Sequence, residues 1–318
     1  MAAASDVRGR EAERPREIPS RGWLDIARRV KRQMGEDRLS IIAAGVAFYG
    51  LLAVFPGLVA LVGLYGLIAD PAQVEQHAAA LAAILPPDAA KIITAQLHDL
   101  ASTDRTALGL GAIAGILLAL WSASSAVRTL MEALNVAYDE EESRGTIRFY
   151  ATALALTFGG VLALLLALAL VAGLPAVLKV IGMNWLAEWA VALARWPLLA
   201  ALAILGFAVV YRYGPSRSKP CWRWVSWGAA VAVALWIVGS AAFSLYVTRF
   251  GNYNETYGTA GAVVILLMWF LLSSYAILIG AEINAEMERQ TRKDTTAGNE
   301  RPLGARGAYA ADTVGESR

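Results

Sequence analysis

The chain has 318 residues, 57% of them hydrophobic and 17% charged, where an ordinary soluble domain carries roughly 25% charged residues. Twenty-eight Lys and Arg against 26 Asp and Glu leave a net charge of +2, and Cys221 is a single cysteine. These figures exclude a disordered chain, an intrachain disulfide scaffold and a strongly basic nucleic-acid binder, and they favour a polytopic membrane protein over a soluble enzyme.

Residues 1–21 are charged, contain Pro15 and Pro19 and hold few large apolar side chains, so they read as a disordered tail. In 22–38, Trp23, Ile26, Ala27, Val30 and Met34 recur at helical spacing, with Arg28, Arg29, Lys31 and Arg32 opposite. That pattern predicts an amphipathic basic helix. It suits an anionic membrane surface, and it equally suits packing on the inner end of a bundle.

Stretches without Asp, Glu, Lys, Arg or His then follow at 39–69, 106–127, 149–178, 196–211, 224–248 and 256–281. A helix needs roughly 20 residues to cross a hydrocarbon core about 30 Å thick. Five stretches suffice alone, and the fourth does when extended back to Trp189 past Arg195. Residues 161–172 are apolar at every position, which rules out the alternation of a barrel strand. The fold class is therefore all-α, with six transmembrane helices at about 41–69, 107–127, 149–172, 189–211, 224–248 and 259–281. The membrane domain covers 22–290, and 291–318 reads as a second disordered tail.

Six spans put both ends on one side. That side carries 23 Lys and Arg, and the other carries 5. The positive-inside rule makes both termini cytoplasmic in an inner (plasma) membrane.

Four segments supply candidate functional residues. In the first span, Pro56 removes a backbone bond and bends the helix, with Tyr49 nearby as a buried phenol that lines a cavity or simply packs. The 70–105 segment is divided by Pro86 and Pro87 and predicts two amphipathic helices on the outer face. Its His77 and His98 lack the neighbours of a metal site. Past the second span, Ser125, Arg128, Glu132 and Asn135 share one helical face. The sixth span ends in Glu282 and Asn284. Placing Arg128 and Glu282 at one membrane depth predicts that they pair, in a polar cluster of Arg128, Glu132, Asn135, Glu282 and Asn284. The turn before the sixth span crowds Asn252, Tyr253, Asn254, Glu255 and Tyr257 together, as an outer candidate element.

Taken together, Ala47-Phe48-Tyr49 with Phe55-Pro56, the 121–139 segment, Tyr211-Arg-Tyr-Gly-Pro215, and Tyr253-Asn-Glu-Thr-Tyr-Gly258 with Gly280-Ala-Glu282-Ile-Asn284 resemble the YihY / virulence factor BrkB family. The similarity covers about residues 36–290, with Gly214 departing from the bulkier residue common before Pro215. The resemblance implies six spans, cytoplasmic ends and a link to serum resistance and envelope lipid handling, with no established biochemical activity. An old tRNA-processing ribonuclease label in that family is regarded as a misassignment.

The residues themselves point away from nuclease chemistry. The 139–142 acidic run repels phosphate, and no histidine lies on that side. The expectation is a protein without catalytic residues, metal or cofactor, whose partners are membrane lipids and a lipid or amphiphilic substrate rather than nucleic acid. Translocation and a non-transporting envelope scaffold remain as alternatives. No Walker motif is present to bind ATP, and the oligomeric state is open.

Overall fold

The computed structural model describes residues 6–68, 105–173, 185–250 and 259–316. The expected outer helices within 70–105 and the candidate turn at 252–257, with His77 and His98, lie outside the described residues. Among the described residues the protein is helical, without strands. The helices are α1 (Ser20–Glu36), α2 (Leu39–Ile68), α3 (Arg105–Ala137), α4 (Thr146–Leu168), α5 (Trp185–Tyr213), α6 (Trp222–Phe250), α7 (Thr259–Glu288) and the short α8 (Tyr309–Asp312). A π-helical turn, Ala169–Gly173, continues α4.

Helices α2 to α7 are long and apolar enough to cross a bilayer. The reason they form is backbone chemistry: hydrocarbon offers no hydrogen-bond partner, so each N–H and C=O must be satisfied within its own helix. Their outer faces remain apolar and exposed, as at Leu162, Leu193 and Val238. This is an all-α polytopic membrane protein.

The chain divides into two compact units, residues 49–126 and the remainder. In the larger unit α7 packs along α6, α6 along α5, and α1 lies against α7. Two reciprocal clasps join α6 to α7: Trp236 Nε1 donates to Ser273 Oγ at 3.0 Å, and Trp269 Nε1 to Ser240 Oγ at 3.2 Å. Lower down, Gly228 and Gly280 bring the two backbones together, and a Cβ on Gly280 would come within 2.7 Å of Gly228 O. Small residues permit this close approach in a membrane, where packing rather than the hydrophobic effect joins helices.

Three expectations are corrected here. Residues 6–21 are ordered: a 3₁₀ turn at Pro15–Glu17 leads into α1, and Ala12 and Ile18 pack with Ile26, Val30, Trp224 and Met287. The second tail is ordered as well. Arg306 is buried and donates to the carbonyls of Lys293, Ala311 and Arg292, while Asp312 accepts from the N–H groups of Gly304, Arg306 and Gly307. The order comes from side-chain bonds to backbone groups, which composition and periodicity do not register. Third, Arg29 points inward, not outward with Arg28 and Lys31. The apolar side of α1 is packed on the bundle, with Trp23 and Trp227 rings 6.0 Å apart.

The two tails meet. Arg10 Nη2 donates to Gly315 O at 2.7 Å, and Arg29 Nη1 to Glu316 O at 3.1 Å. Both therefore lie at the same end of this unit.

Candidate functional site

The last turns of α7 carry the site. Glu282, Asn284, Glu286, Glu288 and Gln290 are all buried at 1% exposure or less. Helical geometry sorts them onto two sides: 282, 286 and 290 are four apart and share one face, while 284 and 288 share the opposite one. Both faces are covered, which is why so many polar groups are buried at the end of one helix.

On the first face Glu286 takes the Arg29 guanidinium in a buried ion pair and Arg289 Nη1 at 2.7 Å. Arg29 also reaches Gln290 Oε1 at 2.7 Å, and Gln290 Nε2 donates to Arg8 O at 2.7 Å. On the second face Asn284 Oδ1 accepts from Gly228 N at 2.9 Å. Glu288 receives Arg217 through both nitrogens, at 3.1 and 2.6 Å, and Thr295 Oγ1 at 2.6 Å. Arg217 and Glu288 side chains are fully buried. Burial opposes the Arg217 charge, yet Glu288 holds its pKa above the ordinary guanidinium value. Arg217 also lies over the Tyr138 ring, 5.0 Å from its centre.

Asn135, at the end of α3, accepts from Ser216 N at 2.7 Å and donates to Glu142 Oε2 at 3.0 Å. The Arg144 guanidinium, closed on Glu142 at 2.6 Å, holds the Glu142 carboxyl down to about 2, with Asn135 assisting. Two more residues of the 139–142 run are engaged: Glu140 Oε1 accepts from Tyr309 N at 2.7 Å, and Asp139 lies 3.9 Å from Arg289.

Glu282 differs from its neighbours. It is fully buried and neither carboxylate oxygen has a hydrogen-bond donor. Its close neighbour is Asp37, the C-cap residue of α1, whose Oδ2 is likewise buried without a donor. Burial pushes the Asp37 carboxyl up, against a weaker pull down from its contact with Glu282.

The predicted cluster is thus only partly assembled. Asn135, Glu282 and Asn284 are buried in this layer, but Arg128 and Glu132 are not part of it. The expected Arg128–Glu282 pair does not form: Arg128 sits 4.7 Å from the Tyr150 ring centre, and Glu282 meets Asp37. The depth assignment fails because α3 continues nine residues beyond Arg128, so that Tyr138 and Asp139, about 15 Å further on by helical rise, are what lie near Glu282. Glu132 is exposed; sharing a face with Asn135 does not bring it under the same cover, which the Ser216 segment supplies. Pro56 lies inside α2, and Tyr49 is 41% exposed; both belong to the smaller unit.

Sequence reasoning missed Asp37, Tyr138, Arg217, Glu288 and Gln290. The Glu282, Glu286 and Gln290 spacing was available as a signal. Nothing local marked Arg217, whose partner lies 71 residues away.

Comparison with known proteins agrees with this architecture. The family profile described as Virulence factor BrkB matches residues 30–303. A ribonuclease-like protein, YfkH, of Bacillus subtilis is 31% identical over 260 residues, covering 79% of this chain and 90% of that protein. A UPF0761 membrane protein of Idiomarina loihiensis is 28% identical, covering 58% of this chain and 61% of that protein. Another, of Vibrio atlanticus, is 25% identical, covering 85% and 84%. No solved structure matches. With its six apolar helices and a profile match across all of them, the chain belongs to the Virulence factor BrkB family of membrane proteins.

Proposed function

We propose that this chain translocates a lipid or amphiphilic solute across a bacterial inner membrane, with both tails in the cytoplasm, and that it is not an enzyme. The observation that carries the reading is the first span. Phe48, Tyr49, Leu52 and Phe55 are each at least 41% exposed and lie at helical spacing along one side of α2, immediately before the internal Pro56. A proline-interrupted helix with a phenol among apolar side chains offers a polar foothold along a lipid-facing path. The 23 Lys and Arg on one side support the orientation.

The acidic run argues against RNA as a partner. In the 139–142 run, Asp139, Glu140 and Glu142 are engaged by Arg289, the Tyr309 backbone and Arg144, so these carboxylates are structural. A static scaffold is the second reading, favoured by the buried ion pairs that lock α1 and the α5–α6 connection onto the end of α7.

Reconstitution into vesicles carrying labelled lipid separates the two. Translocation predicts faster lipid exchange between leaflets than in protein-free vesicles, slowed by Tyr49→Ala and Pro56→Ala. Equal rates in loaded and empty vesicles contradict it and leave the scaffold.

A further inference from the structure

We propose that Asp37 and Glu282 bind one proton between them, making the inner end of the last span a proton-binding site. The inference is independent of what the protein translocates. Asp37 closes the turn between α1 and α2, and Glu282 faces it from α7. Three of their four carboxylate oxygens, Asp37 Oδ2 and both of Glu282, are buried and have no donor. Neither residue is joined to a Lys or Arg among the described residues. Two ionised carboxylates in contact without a donor are strongly unfavourable in a buried place, and one proton turns the repulsion into a hydrogen bond.

A further buried group marks the place as unfinished without that proton. Tyr138 is fully buried, its hydroxyl has no partner, and it lies beside Glu282 and Asn284. Asn284 is already bonded to Gly228 N and Val225 O, which leaves the phenol as a neutral donor for Glu282. The groups that act most strongly on the pair are acidic or neutral, and Arg29 of α1 is taken up by Glu286. Helix α1 contributes Gln33 and Glu36, the end of α3 contributes Asp139, and α7 contributes Glu286. Arg289, the cation that follows α7, is held by Glu286 and Asp139. The backbone is unusual on both sides as well: Arg38 and Asp139 have φ of 50° and 53°, the left-handed region that non-glycine residues seldom adopt.

Proton loss puts two adjacent negative charges between the start of the first span and the end of the last, and drives the α1–α2 turn away from α7. Stability from such a pair is present when the proton is bound and is lost as pH rises through the site's titration.

The test is infrared spectroscopy on the full-length chain in lipid nanodiscs, with ¹³C-carboxyl glutamate. The expected result is a protonated-carboxyl C=O band at neutral pH that shifts with the label. It disappears in Glu282→Gln and is weakened or displaced in Asp37→Asn. The thermal midpoint of the wild type falls on going alkaline, and that of Glu282→Gln does not. A label-sensitive band that is absent from the wild type at neutral pH overturns the proposal, and so does one unchanged in both variants. The wild-type measurement decides even where neither variant folds.

Discussion

Arg217 and Glu288 show what one residue contributes to this protein. Their side chains are fully buried and joined by two hydrogen bonds, with Thr295 completing the carboxylate. Removing one partner of such a pair leaves an uncompensated buried charge, at a cost of roughly 3–5 kcal/mol. Arg217→Ala is therefore expected to lower the thermal midpoint in detergent steeply, whereas a surface change such as Glu132→Ala leaves it nearly unmoved. Equal midpoints for the two variants would contradict the assignment. Glu142 gives a pH prediction. Its carboxyl is held at about 2, below its ordinary 4.5, so its contribution is full above the ordinary value and drains away as pH falls toward about 2. Acidification through that window is expected to loosen the 138–146 turn, read as faster amide exchange there, and Glu142→Gln is expected to abolish the dependence.

At the scale of the element, α6 against α7 is the defining contact. Gly228 and Gly280 allow the backbones to meet, and a Cβ on either meets backbone atoms of the other helix. Gly280→Ala forces the helices apart and is expected to cost on the order of 1–3 kcal/mol, read as a lowered midpoint. The same substitution at Gly160, where a Cβ meets nothing within 4 Å, is expected to be neutral or mildly stabilising. The elements were the most legible part of the sequence. Uninterrupted apolar runs such as 161–172 force a helix, because only a helix satisfies its own backbone in lipid. Their mutual arrangement was not legible: Arg128 and Glu282 carry opposite charge, yet α3 runs on past Arg128 and gives Glu282 a different neighbour. Side-chain type in a linear sequence does not report depth along a helix.

The larger unit is closed at one end by the two tails. Composition marked 1–21 and 291–318 as disordered, because they lack an apolar stripe. Their order rests instead on single long-range bonds, such as Thr291 Oγ1 to Ala12 O at 2.7 Å and Arg10 Nη2 to Gly315 O at 2.7 Å. Deleting residues 297–318 removes the Gly315 and Glu316 carbonyls that Arg10 and Arg29 reach and is expected to expose the N-terminal tail to protease while the spans remain inserted; protection equal to that of the full chain would count against this closure. Because the tails touch, they share one side, which agrees with an even number of spans. The most direct measurement of the account is the location of both ends in living cells. Fusing a fluorescent protein that matures only in the cytoplasm, or a phosphatase active only outside it, to each terminus in turn gives the answer. The account predicts fluorescence and no phosphatase activity at both ends; phosphatase activity at either end would contradict it.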